Sequence, residues 1–217
     1  MTPSPRILAY GDAAILVHWE VDGFDAAVSD AVHALAAKLR GREVFTDIVP
    51  GYDSLVATFD TARLPLASAK RRVEDALLRM SPDAASETGT LHDIPVHYGG
   101  ENGPDLAALA DAKGLSEADV IERHAAQTYR VCMMGFIPGF AFLSAVDPAL
   151  AHPRHATPRA HVPAGSVGIA NWQTGIYGLA SPGGWQIIGR TESVMFDASR
   201  PTPFLLSAGD RIRFVPS

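Results

Sequence analysis

Cysteine is almost missing from this chain of 217 residues: Cys132 stands alone, which excludes an internal disulfide and fits a reducing cytoplasm. It lies in Val131-Cys132-Met133-Met134, an apolar run in which a thiol behaves as a small hydrophobe rather than a nucleophile. No apolar stretch approaches the roughly 20 residues of a membrane helix, so no membrane association is expected. The opening Met1-Thr2-Pro3-Ser4-Pro5-Arg6 lacks a basic region followed by an apolar one, and a secretory signal is not expected. Basic clusters are scarce too. A net charge of −6, with Lys70-Arg71-Arg72 followed by Glu74 and Asp75, argues against a nucleic-acid partner, because phosphate binding needs grouped Lys and Arg. There is no Gly-x-x-x-x-Gly-Lys-Ser/Thr, which excludes a P-loop, and no Gly-x-Ser-x-Gly nucleophile elbow.

What is present is ordinary globular composition, 47% apolar and 19% charged, at a length that allows one large or two small domains. The first part alternates strands and helices. Two short strands are expected over 6–19 around the Gly11-Asp12 turn, and a helix over 24–39 with Val28, Val32, Leu35 and Leu39 at helical spacing. Two more strands are expected over 44–59 around Pro50-Gly51-Tyr52-Asp53, and a helix over 67–80 with Val73, Leu77 and Met80 on one face. This is a small α+β unit, two helices against one sheet. Residues 81–89 are polar and turn-rich, the natural linker, so domains are expected at 1–84 and 90–217.

Beyond the linker, Pro104 and Gly114 bracket a short helix, and Ser116-Glu117-Ala118-Asp119 resembles a capping box opening a helix to about His124. The helical period then stops. Short β-like runs at 128–134, 166–170, 185–188, 193–197 and 211–215 are separated by Gly and Pro, the pattern of a barrel or sandwich.

The most informative stretch is Gly135-Phe136-Ile137-Pro138-Gly139-Phe140-Ala141-Phe142-Leu143. Glycine permits turns that a Cβ would block and proline fixes φ near −65°, so the aromatic rings sit on a constrained corner and not on a periodic face. Such a corner either packs three rings into a core or presents a shaped apolar surface. From Thr157 to Thr191 a second long segment follows, with Thr157-Pro158-Arg159, Pro163-Ala164-Gly165-Ser166-Val167-Gly168 and Ser181-Pro182-Gly183-Gly184-Trp185-Gln186.

These two segments, with Tyr10-Gly11-Asp12-Ala13-Ala14 and Ile94-Pro95-Val96-His97-Tyr98-Gly99-Gly100, closely resemble the family of 5-oxoprolinase B subunits. That family also takes in sporulation-kinase inhibitors, small subunits of allophanate hydrolase-type enzymes and the carboxyltransferase portion of urea carboxylase. The resemblance implies an α+β protein in which a small N-terminal α+β sandwich precedes a cyclophilin-like β-barrel. It implies a cytoplasmic subunit of an ATP-dependent 5-oxoprolinase that opens 5-oxo-L-proline to L-glutamate. Partners would be a homologous C subunit and a lactam-handling A subunit, with ATP bound by the complex and little activity in the lone chain. The same resemblance leaves two alternatives open: an amide- or urea-directed carboxyltransferase or hydrolase subunit, and a non-catalytic inhibitor of a sensor histidine kinase. The chain has Ala141-Phe142 where the family often has Pro-Tyr, Asn171 near a family Gly, and Gly178 where a Pro follows the Tyr.

Between Val131 and Gly189 the only acid is Asp147, and there is no Lys. This suits binding of a carboxylate or phosphate, since Arg offers a bidentate fork, better than proton transfer, which wants paired titratable groups. The expected substrate-binding set is Phe136, Gly139, Phe140, Arg159, Gln173, Tyr177, Ser181 and Arg190, with no catalytic group assigned. Arg159 lies in a loop constrained by Pro158 and Pro163 that would aim it toward the aromatic corner; its bland alternative is a salt bridge to an acid of the first domain. Strand alternation would place Gln186, Ile188 and Arg190 on one side. Residues 181–185 would either offer backbone N–H groups to an oxyanion or form a flexible hairpin end over a buried Trp. His97 and His124 match family histidines and are further candidates, against satisfied structural histidines. His152, His155 and His161 lack metal-ligand spacing and a nearby carboxylate, so no metal is expected.

Overall fold

Along residues 14–18 alternate side chains turn inward: Ile15 and Val17 are fully buried while Leu16 and His18 are only partly so, as a sheet covered on one face requires. The computed structural model describes residues 3–41, 43–80 and 89–217, and its contacts divide the chain into two units, Met1–Thr88 and Gly89–Ser217. The polar stretch 81–89 read as a linker falls, but for Gly89, outside the described residues. No helix among the described residues is long and apolar enough to cross a membrane.

The first unit runs β1 (Arg6–Ala9), β2 (Ala14–His18), α1 (Ala26–Arg40), β3 (Phe45–Pro50), β4 (Ser54–Phe59) and α2 (Leu66–Leu78). Its sheet is antiparallel in the order β1-β2-β4-β3. Asp25 caps α1 by accepting from the Val28 N–H at 3.0 Å, satisfying one of the free amides of the first turn. Val28, Val32, Leu35 and Leu39 from α1, with Val73 and Ala76 from α2, close over Ile15, Val17, Leu55 and Phe59. Lys70, Arg71 and Arg72 face solvent.

The second unit begins with β5 (Leu91–Tyr98), α3 (Leu106–Lys113), α4 (Glu117–Ala125), β6 (Thr128–Met134) and β7 (Ala141–Ala145). It continues with β8 (Arg159–Val162), β9 (Ser166–Ala170), β10 (Gln173–Ile176), β11 (Ser181–Gly183), β12 (Gln186–Arg190) and β13 (Arg211–Pro216). Seven strands close a barrel in the order β10-β7-β6-β13-β5-β12-β9, while β8 and β11 pair separately. This is the α+β arrangement with a β-barrel that the sequence leads one to expect. Gly114 ends α3 at φ 65°, and Ser116 with Asp119 forms the capping box of α4. The barrel is filled by Ile94, Val96, Tyr129, Val131, Leu143, Val167 and Ile212 among others.

Two local expectations are corrected. Residues 193–197 form no strand; only an isolated bridge joins Phe196 to Phe204. There Ser193 N–H donates to Thr191 Oγ1 and Ser199 N–H to Asp197 Oδ1, local bonds that compete with a ladder. In β12 a register shift falls between Ile187 and Gly189, so Gln186, Ile188 and Arg190 do not share one face. A bulge interrupts the period of two. Gln186 is buried and donates to the Pro153 carbonyl at 2.9 Å, whereas Arg190 is exposed.

Candidate functional site

The corner at 135–139 is built by backbone strain and close approach. Phe136 adopts φ 65° and Gly139 φ 76°; the first is costly for a residue with a Cβ. A Cβ on Gly139 would stand 2.7 Å from that of Phe196, and one on Gly178 would collide with the Pro138 carbonyl. Where the family often has proline after the tyrosine, this chain needs Gly178 for the corner to seat. Asn171, near a family glycine, stands at φ 54°, a left-handed conformation that Asn tolerates.

Phe140, 1% exposed, is the hub of the aromatic group. Its ring centroid lies 4.5 Å from Phe142, 4.9 Å from Tyr177, 5.4 Å from Trp185 and 5.6 Å from Phe136. All but the Phe142 contact are near-perpendicular, the edge-to-face geometry that ring quadrupoles favour. Above them opens a cavity of about 520 Å³, within the usual size of a small-molecule site. Arg154 supplies its cation, the guanidinium carbon 5.8 Å from the Trp185 ring centre. Ser181 and Gly184 also line the cavity. Burial pushes the Tyr177 hydroxyl above its ordinary pKa, against the opposing effects of the Trp185 amide, Arg154 and Arg159, so it enters the site as a neutral hydroxyl.

Arg159 does not line this cavity, although Pro158 does. Its Nη2 donates to Asp105 Oδ1 at 2.5 Å, so its acid comes from the second unit and not from the first. Asp105 also accepts the Ile187 N–H at 2.6 Å, and His155 Nε2 lies 3.2 Å from the same Oδ2. Burial would raise the Asp105 pKa; Arg159, the Ile187 amide and His155 outweigh it and hold the carboxyl below its usual range. Asp105 thereby pins the loop that carries Arg154 and Pro158. Arg159 and Arg190 share a second, smaller cavity of about 160 Å³ with His161 and Asn102.

Of the expected set, Phe136, Phe140, Tyr177 and Ser181 line the aromatic cavity, and Gly139 shapes its corner. Arg159 and Arg190 are brought together, but in the smaller cavity. Gln173 begins β10 opposite Ala145 and Ala170 and is not among the residues lining either cavity. His97 is exposed, its Nδ1 3.1 Å from the Ser217 carbonyl oxygen. His124 is fully buried in the barrel core, stacked on Phe214. Tyr98 Oη lies 2.8 Å from His124 Nδ1, and Thr174 Oγ1 lies 2.9 Å from Nε2. Thr174 gives its own proton to the Gly168 carbonyl, so Nε2 donates to Thr174 and Nδ1 accepts from Tyr98. Every polar atom of that ring is occupied within the core. His152 pairs through its backbone with Asn171. Residues outside the expected set that line the aromatic cavity or hold its loop are Arg154, Phe142, Trp185 and Asp105. A lone Arg between His152-Pro153 and His155 is the available signal for the first; Asp105 lies 54 positions from Arg159 and leaves none.

The profile of the family described as carboxyltransferase domain, subdomain C and D, matches residues 5–206. The B subunit of the 5-oxoprolinase of Bacillus subtilis is 38% identical over 99% of this chain and 94% of its own length. That of Escherichia coli O157:H7 is 38% identical over 97% and 95%. Among solved structures, TTHA0988 superposes with a TM-score of 0.81 at 37% identity over 94% of this chain, which spans only 40% of that longer chain. On these near end-to-end matches, the chain belongs to the 5-oxoprolinase B-subunit family of carboxyltransferase-domain proteins.

Proposed function

We propose that this protein is the B subunit of an ATP-dependent 5-oxoprolinase, which opens 5-oxo-L-proline to L-glutamate together with a homologous C subunit and a lactam-handling A subunit. The observation that carries the reading is the co-linear match, over nearly the whole of both chains, to proteins named as the B subunit of 5-oxoprolinase. The aromatic cavity suits that substrate. A five-membered lactam ring presents apolar faces to Phe140 and Trp185, its carboxylate can pair with Arg154, and its polar edge can meet Tyr177 and Ser181.

The cavity's lining includes no carboxylate, lysine or histidine, so this chain's side chains there bind and orient rather than move protons. The acid–base groups and the ATP site are assigned to the companion subunits or to an interface with them. ATP supplies phosphoryl transfer to activate the amide; no P-loop exists here to hold it.

Reconstitution tests the reading. The purified chain with 5-oxo-L-proline and ATP should release negligible glutamate until both companion subunits are added. Robust turnover by the chain alone would contradict it. Biotin- and bicarbonate-dependent carboxylation of an amide or urea by the assembled proteins, without lactam opening, would favour the carboxyltransferase alternative that the family's name also suggests.

A further inference from the structure

The smaller cavity of the second unit calls for an occupant of its own. Arg159 reaches it with one arm of its guanidinium already used: Nη2 is bound to Asp105, whereas Nη1 is buried and has no hydrogen-bond partner. A buried charged donor left unpaired is costly, and Arg159 is among the residues lining the cavity. Arg190 enters from the end of β12. Its Nε donates to the Ala164 carbonyl at 3.0 Å, which fixes the side chain at the cavity. No acid lies within ion-pair distance of Arg190 among the described residues. His161 and Asn102 also line the cavity and can hydrogen-bond.

Glu101, exposed at the rim, is the one acid among the lining residues. Asp105 beneath is shared between Arg159, the Ile187 amide and His155. The positive charge of Arg190 is therefore the least compensated. At about 160 Å³ the space equals roughly five liquid water volumes of ~30 Å³ each, room for a phosphate or carboxylate group.

We propose that this cavity is a binding site for a small oxyanion, phosphate or carboxylate, held between the guanidinium groups of Arg159 and Arg190. The site is separate from the aromatic cavity and stands without the lactam reading. Two arms from different guanidiniums match the spread lone pairs of such a group.

Isothermal titration of the full-length chain at fixed ionic strength tests it, with inorganic phosphate in one arm and acetate in the other; the arm that saturates identifies the source. Arg190→Gln should weaken the saturable binding at least tenfold, and Glu101→Gln should tighten it. Both residues are exposed, so both variants should keep the parent melting temperature. Failure of both anions to bind saturably, or binding that Arg190→Gln leaves unchanged, would overturn the proposal.

Discussion

Arg159 and Asp105 are 54 positions apart in sequence and 2.5 Å apart in the fold. The carboxylate is 7% exposed and the guanidinium 33%, so the pair is worth more than a solvent-exposed one and belongs to the architecture of the site. The sequence alone predicts that Arg159→Lys impairs ligand binding with little effect on melting temperature. With Asp105 in place the outcome differs: a lysine keeps the charge, loses the fork and should cost about 1–2 kcal/mol of stability. Asp105→Ala, which also strands the Ile187 N–H, should cost about 3–5 kcal/mol. A double-mutant cycle by urea unfolding checks this. Coupling near zero would show the two side chains to be energetically independent.

His124 should make stability fall as the solution becomes acidic. Burial lowers its pKa from 6.5 to about 3, so the unfolded chain takes a proton near pH 6.5 that the folded chain refuses. The stabilising difference is whole above pH 6.5 and shrinks as pH falls toward 3, by up to about 1.4 kcal/mol per pH unit. His152 is lowered as well, chiefly by burial, and Asp105 acts only below its ordinary 3.8. His124→Gln should therefore flatten, without abolishing, the decline in unfolding free energy between pH 7 and 5. A slope identical to the parent's would contradict a neutral, buried imidazole.

Elements set by local period are legible in the sequence. The spacing of Val28, Val32, Leu35 and Leu39 marks α1, and Ser116 with Asp119 marks the start of α4. The strands at Ala141–Ala145, Arg159–Val162, Gln173–Ile176 and Ser181–Gly183 are not. Each has three to five residues, and at least one partner lies far along the chain or across a turn, so pairing and not propensity decides it. The bulge in β12 likewise depends on what Gly189 packs against, Val96 and Tyr98. At the site, the aromatic corner is visible because Gly and Pro punctuate it. Arg154 and Asp105 are not, since their roles arise only when the 153–159 loop folds against Asp105 and Trp185.

Phe136 combines a left-handed backbone with a ring that is 65% exposed. Strain of about 1–3 kcal/mol is retained for an aromatic side chain that buries little. Phe136→Gly should leave stability within about 1 kcal/mol of the parent, since relief of strain offsets the greater entropy of a glycine, while raising the KM for 5-oxo-L-proline in the reconstituted complex. Thermal melts and steady-state kinetics read the two effects. A large stability loss with unchanged KM would assign Phe136 to the core alone.

The boundary between residues 82 and 90, read from composition, remains a proposal. Limited proteolysis should cut there first, because polar, small-residue sequences between domains are preferred sites, and should release fragments matching the two units. First cleavage within 131–190 would place the weak point elsewhere.

The most direct test is the KM of the reconstituted complex for 5-oxo-L-proline with Arg154→Ala in this chain. Arg154 is exposed above Trp185, so its truncation should spare the fold. Loss of a charge-assisted bond worth about 1.5–3 kcal/mol should raise KM by about 10–100-fold with kcat little changed. An unchanged KM, in a complex that still assembles, would show that the aromatic cavity of this protein does not hold the lactam.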